Sequence, residues 1–345
     1  MNDKKTSLDM IDLIKLISAY AVVAIHSEFM GNLIYPYARL AVPIFFICTG
    51  YFAFTKLDSI VSKNEKIYTY KKIIKRYLLL YLFWFSVMLP YTIYVRGYHK
   101  KSFYTFLKEF IKDLIFGSTF RASWYIMACV IGISIIFGLS FKMSNKAILS
   151  VTLPCYMFAT FCSELQLFYK EYPIIDTIIK KIIESTGSPY TNFVISLIYI
   201  TIGREISSLG IEKIKNNRNK YLASAILSFI LLISEYNLLS NTEYLVYNCD
   251  CYFSLVICSS YIVLFALGSS AIVPYANTLR KVSTITYFIH IPIISFCKII
   301  FKIFKVTDKN NISLFMLVII LSFVISNVII SLQEKKKIKI LMYAV

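Results

Sequence analysis

Long apolar stretches alternate with shorter polar ones along the whole chain. Ten of them have the length of a membrane-crossing helix, at about 10–30, 34–54, 77–95, 123–141, 147–163, 191–209, 221–240, 251–272, 283–304 and 312–331. About 20 apolar residues in a helix cross the hydrocarbon layer of a bilayer, and the stretches lack the residue-by-residue alternation of membrane barrels. The pattern predicts an all-α, polytopic membrane bundle of about ten helices. We expect residues 1–345 to form a single domain without a soluble one.

Two connections between spans are long and contain amphipathic stretches. The connection 96–122 includes FYTFLKEFIKDLIF, and the connection 164–190 includes YPIIDTIIKKIIE. Apolar and charged residues recur in both at helical spacing, which is typical of a helix lying along a membrane surface. We expect one interfacial helix in each connection, which either covers a cavity or caps the bundle.

The charges indicate how the chain is oriented in the membrane. Hydrophobic residues make up 58% of the chain and charged residues 16%, with a net charge of +18. Most of the cations fall in connections on one side, and cytoplasmic connections collect Lys and Arg. We therefore predict cytoplasmic termini, the lipid bilayer as a partner, and no nucleic-acid partner. The first span lacks a small-residue cleavage site, so we expect it to be retained.

Charged residues and prolines interrupt several spans. They are Arg39 and Pro43 in the second span, Pro154 in the fifth, Arg204 and Glu205 in the sixth, and His290 and Pro292 in the ninth. Broken or charged membrane helices are tolerated mainly where they face protein or water. These interruptions predict a cavity within the bundle.

The first span carries two polar residues on one face. Lys15 and His26 are 11 residues apart, which leaves them within roughly 20° of each other and about 16 Å apart along a helix. A buried, uncharged imidazole at His26 can act as a general base toward a hydroxyl, or it can simply link helices by hydrogen bonds. Lys15 can bind an anionic ligand, form an i,i+3 ion pair with Asp12, or do both.

Two further groups of cations are candidate binding residues. Arg39 can hold a carboxylate or phosphate through two hydrogen bonds, or extend to the interface. The stretch YKKIIKRYLLL leads into the third span and contains Lys71, Lys72, Lys75 and Arg76. These four cations either set the topology alone or hold the phosphates of a cytosolic cofactor. In the second span, Gly50 allows a close approach of two helices.

A polar stripe marks the ninth span. In VSTITYFIHIPI, Ser283, Tyr287 and His290 follow i, i+4 and i+7 and so share one helix face. Such a stripe either ties helices together or contributes to a reactive site.

Several catalytic motifs are absent from the sequence. It has no Gly-rich nucleotide loop, no G-x-S-x-G, no H-E-x-x-H and no paired C-x-x-C. ATP hydrolysis, serine-esterase chemistry and zinc catalysis therefore have no visible residues, and we expect no metal. Cys249 and Cys251 form an isolated C-x-C, which is weak evidence for metal binding.

Five stretches resemble the membrane acyltransferase-3 family, bacterial multi-spanning O-acyltransferases that modify surface glycans. Asp12, Lys15 and His26 occupy the frame of its first-helix D-x-x-R and downstream His. VPIFFICTGYF at 42–52 is similar to its V-P-x-F-F-x-x-S-G-[YF], and KKIIKRYLLLY to the basic start of its third helix. Ser123-Trp124-Tyr125 and STITYFIHIP, from Ser283, resemble the fourth and penultimate helices. The chain is also similar to the membrane domain of vancomycin-resistance serine racemases.

The resemblance implies a ten-helix bundle in the bacterial plasma membrane, an acetyl-CoA or other acyl-CoA donor entering from the cytoplasm, and an acceptor hydroxyl. It implies a catalytic group of His26, Lys15 and Asp12, with His26 as the base. Lys15 stands where the family has Arg, so it supplies charge without the planar fork. We expect Lys71, Lys72, Lys75 and Arg76 to bind the donor. We expect the acceptor to contact Arg39, Trp124, Tyr287 and His290.

The sequence therefore predicts a membrane O-acyltransferase that moves an acetyl or other acyl group to a hydroxyl of a cell-envelope glycan or a lipid-linked sugar precursor. A transporter or flippase for a small solute such as serine, or for a lipid-linked sugar, is the alternative. It explains the intramembrane charges without chemistry, but it does not explain the spacing of Lys15 and His26. A scaffold or sensor without turnover is a third possibility.

Overall fold

The computed structural model describes residues 8–97, 101–116, 119–120, 122–242, 250–335 and 339–344. These residues contain α-helices and 3-10 turns and no strand. The α-helices are α1 Asp9–Ser27, α2 Tyr35–Ala38, α3 Ala41–Asp58, α4 Lys63–Arg96, α5 Phe103–Phe116, α6 Trp124–Leu139, α7 Asn145–Glu164, α8 Gln166–Lys170, α9 Pro173–Thr186, α10 Phe193–Ser208, α11 Ile211–Asn216, α12 Arg218–Ser240, α13 Leu255–Gly268, α14 Ala276–Ile303 and α15 Ile312–Glu334. The 3-10 turns are Gly31–Leu33, Pro189–Thr191, Lys309–Asn311 and Lys339–Tyr343.

Each of the ten predicted spans corresponds to a helix, which confirms the all-α membrane bundle. Within the described residues, seven helical stretches are long and apolar enough to cross a bilayer, and α6 and α13 are shorter apolar helices. The helix of the eighth span, α13, covers 14 residues and is therefore shorter than the predicted 251–272. The third span is the last part of a helix of 34 residues, because α4 begins at Lys63. The Ser62 side chain caps that start by accepting a hydrogen bond from the Glu65 backbone N–H at 3.5 Å.

Fewer spans are interrupted in the structure than the sequence predicts. α7 and α14 continue as helices through Pro154 and Pro292, so these prolines do not break their spans. Proline can stay inside a membrane helix where neighbouring groups satisfy the freed carbonyl. The second span does break, because α2 ends at Ala38 and α3 begins at Ala41. Arg39 therefore lies at a helix junction rather than inside a continuous helix.

The centre of the bundle is formed by α3 and α10, which approach each other at two glycines. A Cβ added to Gly203 would lie 2.3 Å from the Ile47 carbonyl oxygen. A Cβ added to Gly50 would lie 2.5 Å from the Ile200 carbonyl oxygen. No side chain fits at either position, so both glycines are required for this packing. The predicted close approach at Gly50 is confirmed.

Helix α14 packs along α1, and these two helices carry His26 and His290. The two helices run in the same direction, because their N-terminal parts meet through Asp12 and Arg280 and their later parts through His26 and His290. α1 ends just beyond His26, where Glu28 takes the left-handed conformation with φ 59°. His26 therefore lies in the last turn of its helix.

The two long connections contain the expected amphipathic helices, α5 and α9. They are in contact with each other, since the Lys112 ammonium donates a hydrogen bond to the Glu184 carbonyl oxygen. α5 has no buried residue, and in α9 the buried residue is Ile179. Their position relative to a membrane stays a prediction.

Candidate functional site: two cavities at opposite ends of α1 and α14

A large cavity opens at the N-terminal ends of α1 and α14. It has a volume of about 840 Å³, and we call it the basic cavity because six cations and one carboxylate line it. These charged residues are Asp12, Lys15, Lys56, Lys72, Arg76, Arg280 and Lys281. A cavity with this excess of cations attracts a ligand with several negative charges.

Asp12 and Lys15 of α1 both line this cavity, but they do not form the i,i+3 ion pair that the sequence allows. Asp12 Oδ2 lies 3.9 Å from Arg280 Nη1, so the carboxylate pairs across to α14. The Lys15 ammonium lies 4.8 Å from the centre of the Phe52 ring, as a cation–π contact. Arg280 could not be distinguished in the sequence from a residue that only sets topology. Lys15 lines the basic cavity, and its binding of an anionic ligand stays a prediction.

The basic stretch at the start of the third span divides between two faces of α4. Lys72 and Arg76 line the basic cavity, whereas Lys71 and Lys75 do not. Residues four apart share a helix face, and a shift of one residue turns the side chain by about 100°. Lys72 and Arg76 are therefore the two predicted donor-binding cations that the fold brings to the cavity.

Three hydroxyl groups that line the basic cavity lie close together. The Thr49 and Tyr125 hydroxyl oxygens are 2.9 Å apart, and the Tyr77 hydroxyl donates to Thr49 at 3.4 Å. The sequence motifs indicated neither Tyr77 nor Tyr125 as a site residue. Trp124, which we expected to contact an acceptor, instead packs edge-on against Phe46 with ring centres 6.0 Å apart and lines neither cavity.

A smaller cavity opens near the other ends of α1 and α14. Its volume is about 360 Å³, and we call it the His26 cavity. Its lining is Ile25, His26, Glu28, Tyr35, Arg39, Asp250, Ile291, Ile294, Ser295 and Lys298. His26 and Lys15 thus lie on one helix but face different cavities.

Arg39 reaches the His26 cavity as half of an ion pair. Its Nη1 lies 2.6 Å from Asp250 Oδ1, and the two side chains are 15% and 33% exposed. Burial raises the pKa of the Asp250 carboxyl, while the Arg39 guanidinium acts in the opposite direction. Arg39 is therefore held by a carboxylate beside the cavity. Sequence reasoning missed Asp250, because nothing local in the sequence links these positions.

Along α14, about one helical turn separates the residues that line the two cavities. On α14, Phe288 lines the basic cavity and Ile291 lines the His26 cavity. Between them, the fully buried His290 ring lies 5.1 Å from His26 and 6.1 Å from Tyr287, measured between ring centres. Tyr287 in turn lines the basic cavity. The predicted polar stripe of the ninth span therefore runs from the basic cavity, which Ser283 and Tyr287 line, to His290 between the two cavities.

A family model described as an acyltransferase domain matches residues 8–331. The chain belongs to this acyltransferase family. Two proteins of Enterococcus faecalis named amino-acid racemase are also similar to it. One is 22% identical over 342 residues, which is 95% of this chain and 47% of the relative. The other is 26% identical over 212 residues, 59% of this chain and 29% of the relative.

The chain spans about half, or less, of the length of those two relatives. No solved structure matches it. The family resemblance drawn from the sequence motifs is confirmed across nearly the whole chain. The protein is a membrane member of this family, with one cavity near each end of the α1–α14 pair.

Proposed function

We propose that this acyltransferase moves an acetyl or other acyl group from cytosolic acyl-CoA to a hydroxyl of a cell-envelope glycan or a lipid-linked sugar precursor, in the plasma membrane of a bacterium. The observation that supports this most strongly is the pair of cavities at opposite ends of α1 and α14, which only His290 separates along the contacts from His26 to Tyr287. A donor and an acceptor that approach from opposite sides of a membrane need two separate cavities. A soluble transferase binds both substrates from the same side and needs no such arrangement.

The charge of the basic cavity supports a CoA ester as the donor. CoA carries several phosphate charges, and Lys or Arg side chains bind phosphate by charge-assisted hydrogen bonds. Lys72 and Arg76 line the cavity from α4, and Lys15 and Arg280 line it from α1 and α14. The predicted topology puts this cavity on the cytoplasmic side, where acyl-CoA is available. The acyl group would then extend from this cavity past Tyr287 toward His26, because the attacking oxygen and the thioester carbonyl must come into contact.

His26 supports the choice of a hydroxyl as the acceptor. In the proposed reaction its imidazole removes the proton of a hydroxyl bound in the His26 cavity, and the oxygen attacks the thioester carbonyl. General-base assistance of this kind is typically worth about 10²- to 10⁴-fold in rate. The cavity is polar, with Ser295 and charges of both signs on its wall, as suits a sugar ring. Its size fits a small group rather than a polymer segment.

The alternative is a carrier that passes a small solute such as serine, or a lipid-linked sugar, from one cavity to the other. The same two cavities favour it, since they lie at opposite ends of α1 and α14 with a thin partition between them. This alternative needs no thioester. It does not explain why six cations line the basic cavity, because it includes no anionic ligand.

Reconstitution into proteoliposomes separates the two functions. Acetyl-CoA is supplied outside, and oligosaccharide fragments of a bacterial envelope are trapped inside. Release of free CoA together with acetylated sugar in the lumen supports the acyltransferase. Uptake of radiolabelled serine without CoA release supports the carrier. Liposomes with the His26→Ala variant serve as the matched control.

A further inference from the structure

Two of the four cations at the start of the third span lie outside the basic cavity. Lys71 and Lys75 are exposed, and because they are four residues apart their side chains share a face of α4. Neither ammonium forms an ion pair with another residue that the structure describes. Like charges at this spacing destabilise a helix. An anion that contacts both ammonium groups would therefore stabilise this part of α4.

The face of α4 that carries Lys71 and Lys75 continues into an exposed apolar surface. Leu78 and Leu82 follow on the same face, with exposed fractions of 38% and 54%. Since α4 is long and apolar enough to cross a bilayer, these leucines contact lipid chains. Lys75 lies about 4.5 Å before Leu78 along the helix axis. The two ammonium groups are therefore at the level where the lipid headgroups begin.

The basic cavity lies on the other side of the same helix. The residues of α4 that line it are Lys72, Ile73, Arg76, Tyr77 and Leu80. At about 100° per residue, their mean direction differs by roughly 160° from that of the lysine pair and the two leucines. Helix α4 thus has a cavity face and a lipid face. A donor bound in the basic cavity does not neutralise Lys71 or Lys75.

A lipid headgroup matches the position of the lysine pair in charge and in depth. Lysine binds phosphate by charge-assisted hydrogen bonds. Basic residues next to a membrane helix attract anionic lipids of the cytoplasmic leaflet, by about fivefold in affinity for each Lys. Tyr68 lies three residues before Lys71 and is 69% exposed, and tyrosine is enriched at the membrane interface.

We propose that Lys71 and Lys75 bind the phosphate of an anionic phospholipid in the cytoplasmic leaflet, with its acyl chains along Leu78 and Leu82. The predicted topology places the start of α4 on that side of the membrane. A zwitterionic phospholipid has a cation in its own headgroup, so it supplies the two ammonium groups with no net counter-charge. The bound lipid holds α4 at a fixed depth in the bilayer and leaves the cavity face accessible.

A tryptophan reporter on the lipid face tests this site. In the variant Leu78→Trp, brominated phospholipids quench the fluorescence of the indole ring that they contact, and the quenching of the parent protein is subtracted. Brominated phosphatidylglycerol is the anionic probe, and brominated phosphatidylcholine is the zwitterionic one. We expect phosphatidylglycerol to associate at least about fivefold more tightly at the reporter. Equal association of the two lipids would overturn the proposal.

Two double substitutions in the reporter protein assign the preference to one face of α4. Lys71→Gln/Lys75→Gln should abolish it. Lys72→Gln/Arg76→Gln removes the same charge from the cavity face and should leave it unchanged. Equal losses in both proteins would show that the net charge attracts the lipid without a site. Lys71→Arg/Lys75→Arg keeps both charges and should keep the preference, so it separates the loss of charge from a loss of folding.

Addition of CoA distinguishes the lipid from the donor as the ligand of the lysine pair. CoA should not displace phosphatidylglycerol from the reporter, because the basic cavity is on the other face of α4. Displacement by CoA would instead assign Lys71 and Lys75 to the donor and overturn the lipid site. All of these measurements are made without turnover, so they do not depend on the proposed function.

Discussion

Lys15 and His26 lie on the same face of α1 but line different cavities. Lys15 faces the basic cavity near the start of the helix, and His26 faces the smaller cavity in its last turn. The two residues therefore do not contact one ligand group together. Their spacing of about 16 Å instead matches a donor whose anionic part binds at one end and whose acyl group reacts toward the other.

Replacement of His26 by alanine should lower the turnover number without weakening donor binding. The imidazole is proposed as the general base, a contribution of about 10²- to 10⁴-fold in rate, and it lies outside the basic cavity. Steady-state kinetics of CoA release give the turnover number, and isothermal titration with desulfo-CoA gives donor affinity. Unchanged turnover in a folded His26→Ala protein would remove His26 from the mechanism.

The cations of α4 provide a prediction with an internal control. Lys72→Ala and Arg76→Ala should each weaken acetyl-CoA binding by about fivefold, equivalent to about 1 kcal/mol for a solvated charge contact. Lys71→Ala and Lys75→Ala should change it less than about twofold, since these side chains do not line the basic cavity. The KM for acetyl-CoA at low and high salt is the measurement. Equal effects of all four would indicate non-specific attraction.

Much of the fold can be predicted from the lengths of the apolar stretches and from the helical periodicity of polar and apolar residues. The helices at the ten predicted spans, the amphipathic helices α5 and α9, and the approach at Gly50 depend on local sequence, and the structure contains them. The shared face of Tyr287 and His290 was also predictable, because a helix places i and i+3 side by side.

The parts of the site that were missed depend on contacts distant in sequence. Asp250, shortly before α13, meets Arg39 at the junction of α2 and α3, although the two residues are far apart in the sequence. Trp124 and Tyr125 are adjacent, and about 100° of helix rotation decides that the tyrosine, not the tryptophan, lines the basic cavity. Periodicity shows which residues share a face, but it does not show what that face meets.

Gly203 and Gly138 should respond oppositely to alanine. A Cβ at Gly203 would lie 2.3 Å from the Ile47 carbonyl oxygen and 2.6 Å from the Tyr51 backbone nitrogen. The backbone must shift to accept it, so we expect a loss of about 1–3 kcal/mol in the free energy of unfolding. At Gly138 nothing lies within 4 Å, and alanine favours a helix over glycine by about 0.8–1 kcal/mol. Thermal unfolding in detergent compares the two, and equal destabilisation would contradict the packing of α3 on α10.

The ion pair between Arg39 and Asp250 should determine how the acceptor side responds to acid. Asp250→Asn leaves the guanidinium without its carboxylate, at a cost of about 1–3 kcal/mol in the free energy of unfolding. The same change should raise the KM for the acceptor while the KM for acetyl-CoA stays constant, because both residues line the His26 cavity alone.

The pH dependence of this ion pair follows from the direction of the pKa shift. Burial raises the pKa of Asp250, so acidification protonates this carboxyl at a higher pH than it protonates an ordinary Asp, and the attraction to Arg39 is lost. In the wild type the KM for the acceptor should therefore change as pH falls toward the raised pKa, and in Asp250→Asn this change should be absent. A double-mutant cycle with Arg39→Gln measures the coupling between the two side chains. If the two single substitutions are additive, the ion pair contributes neither to stability nor to acceptor binding.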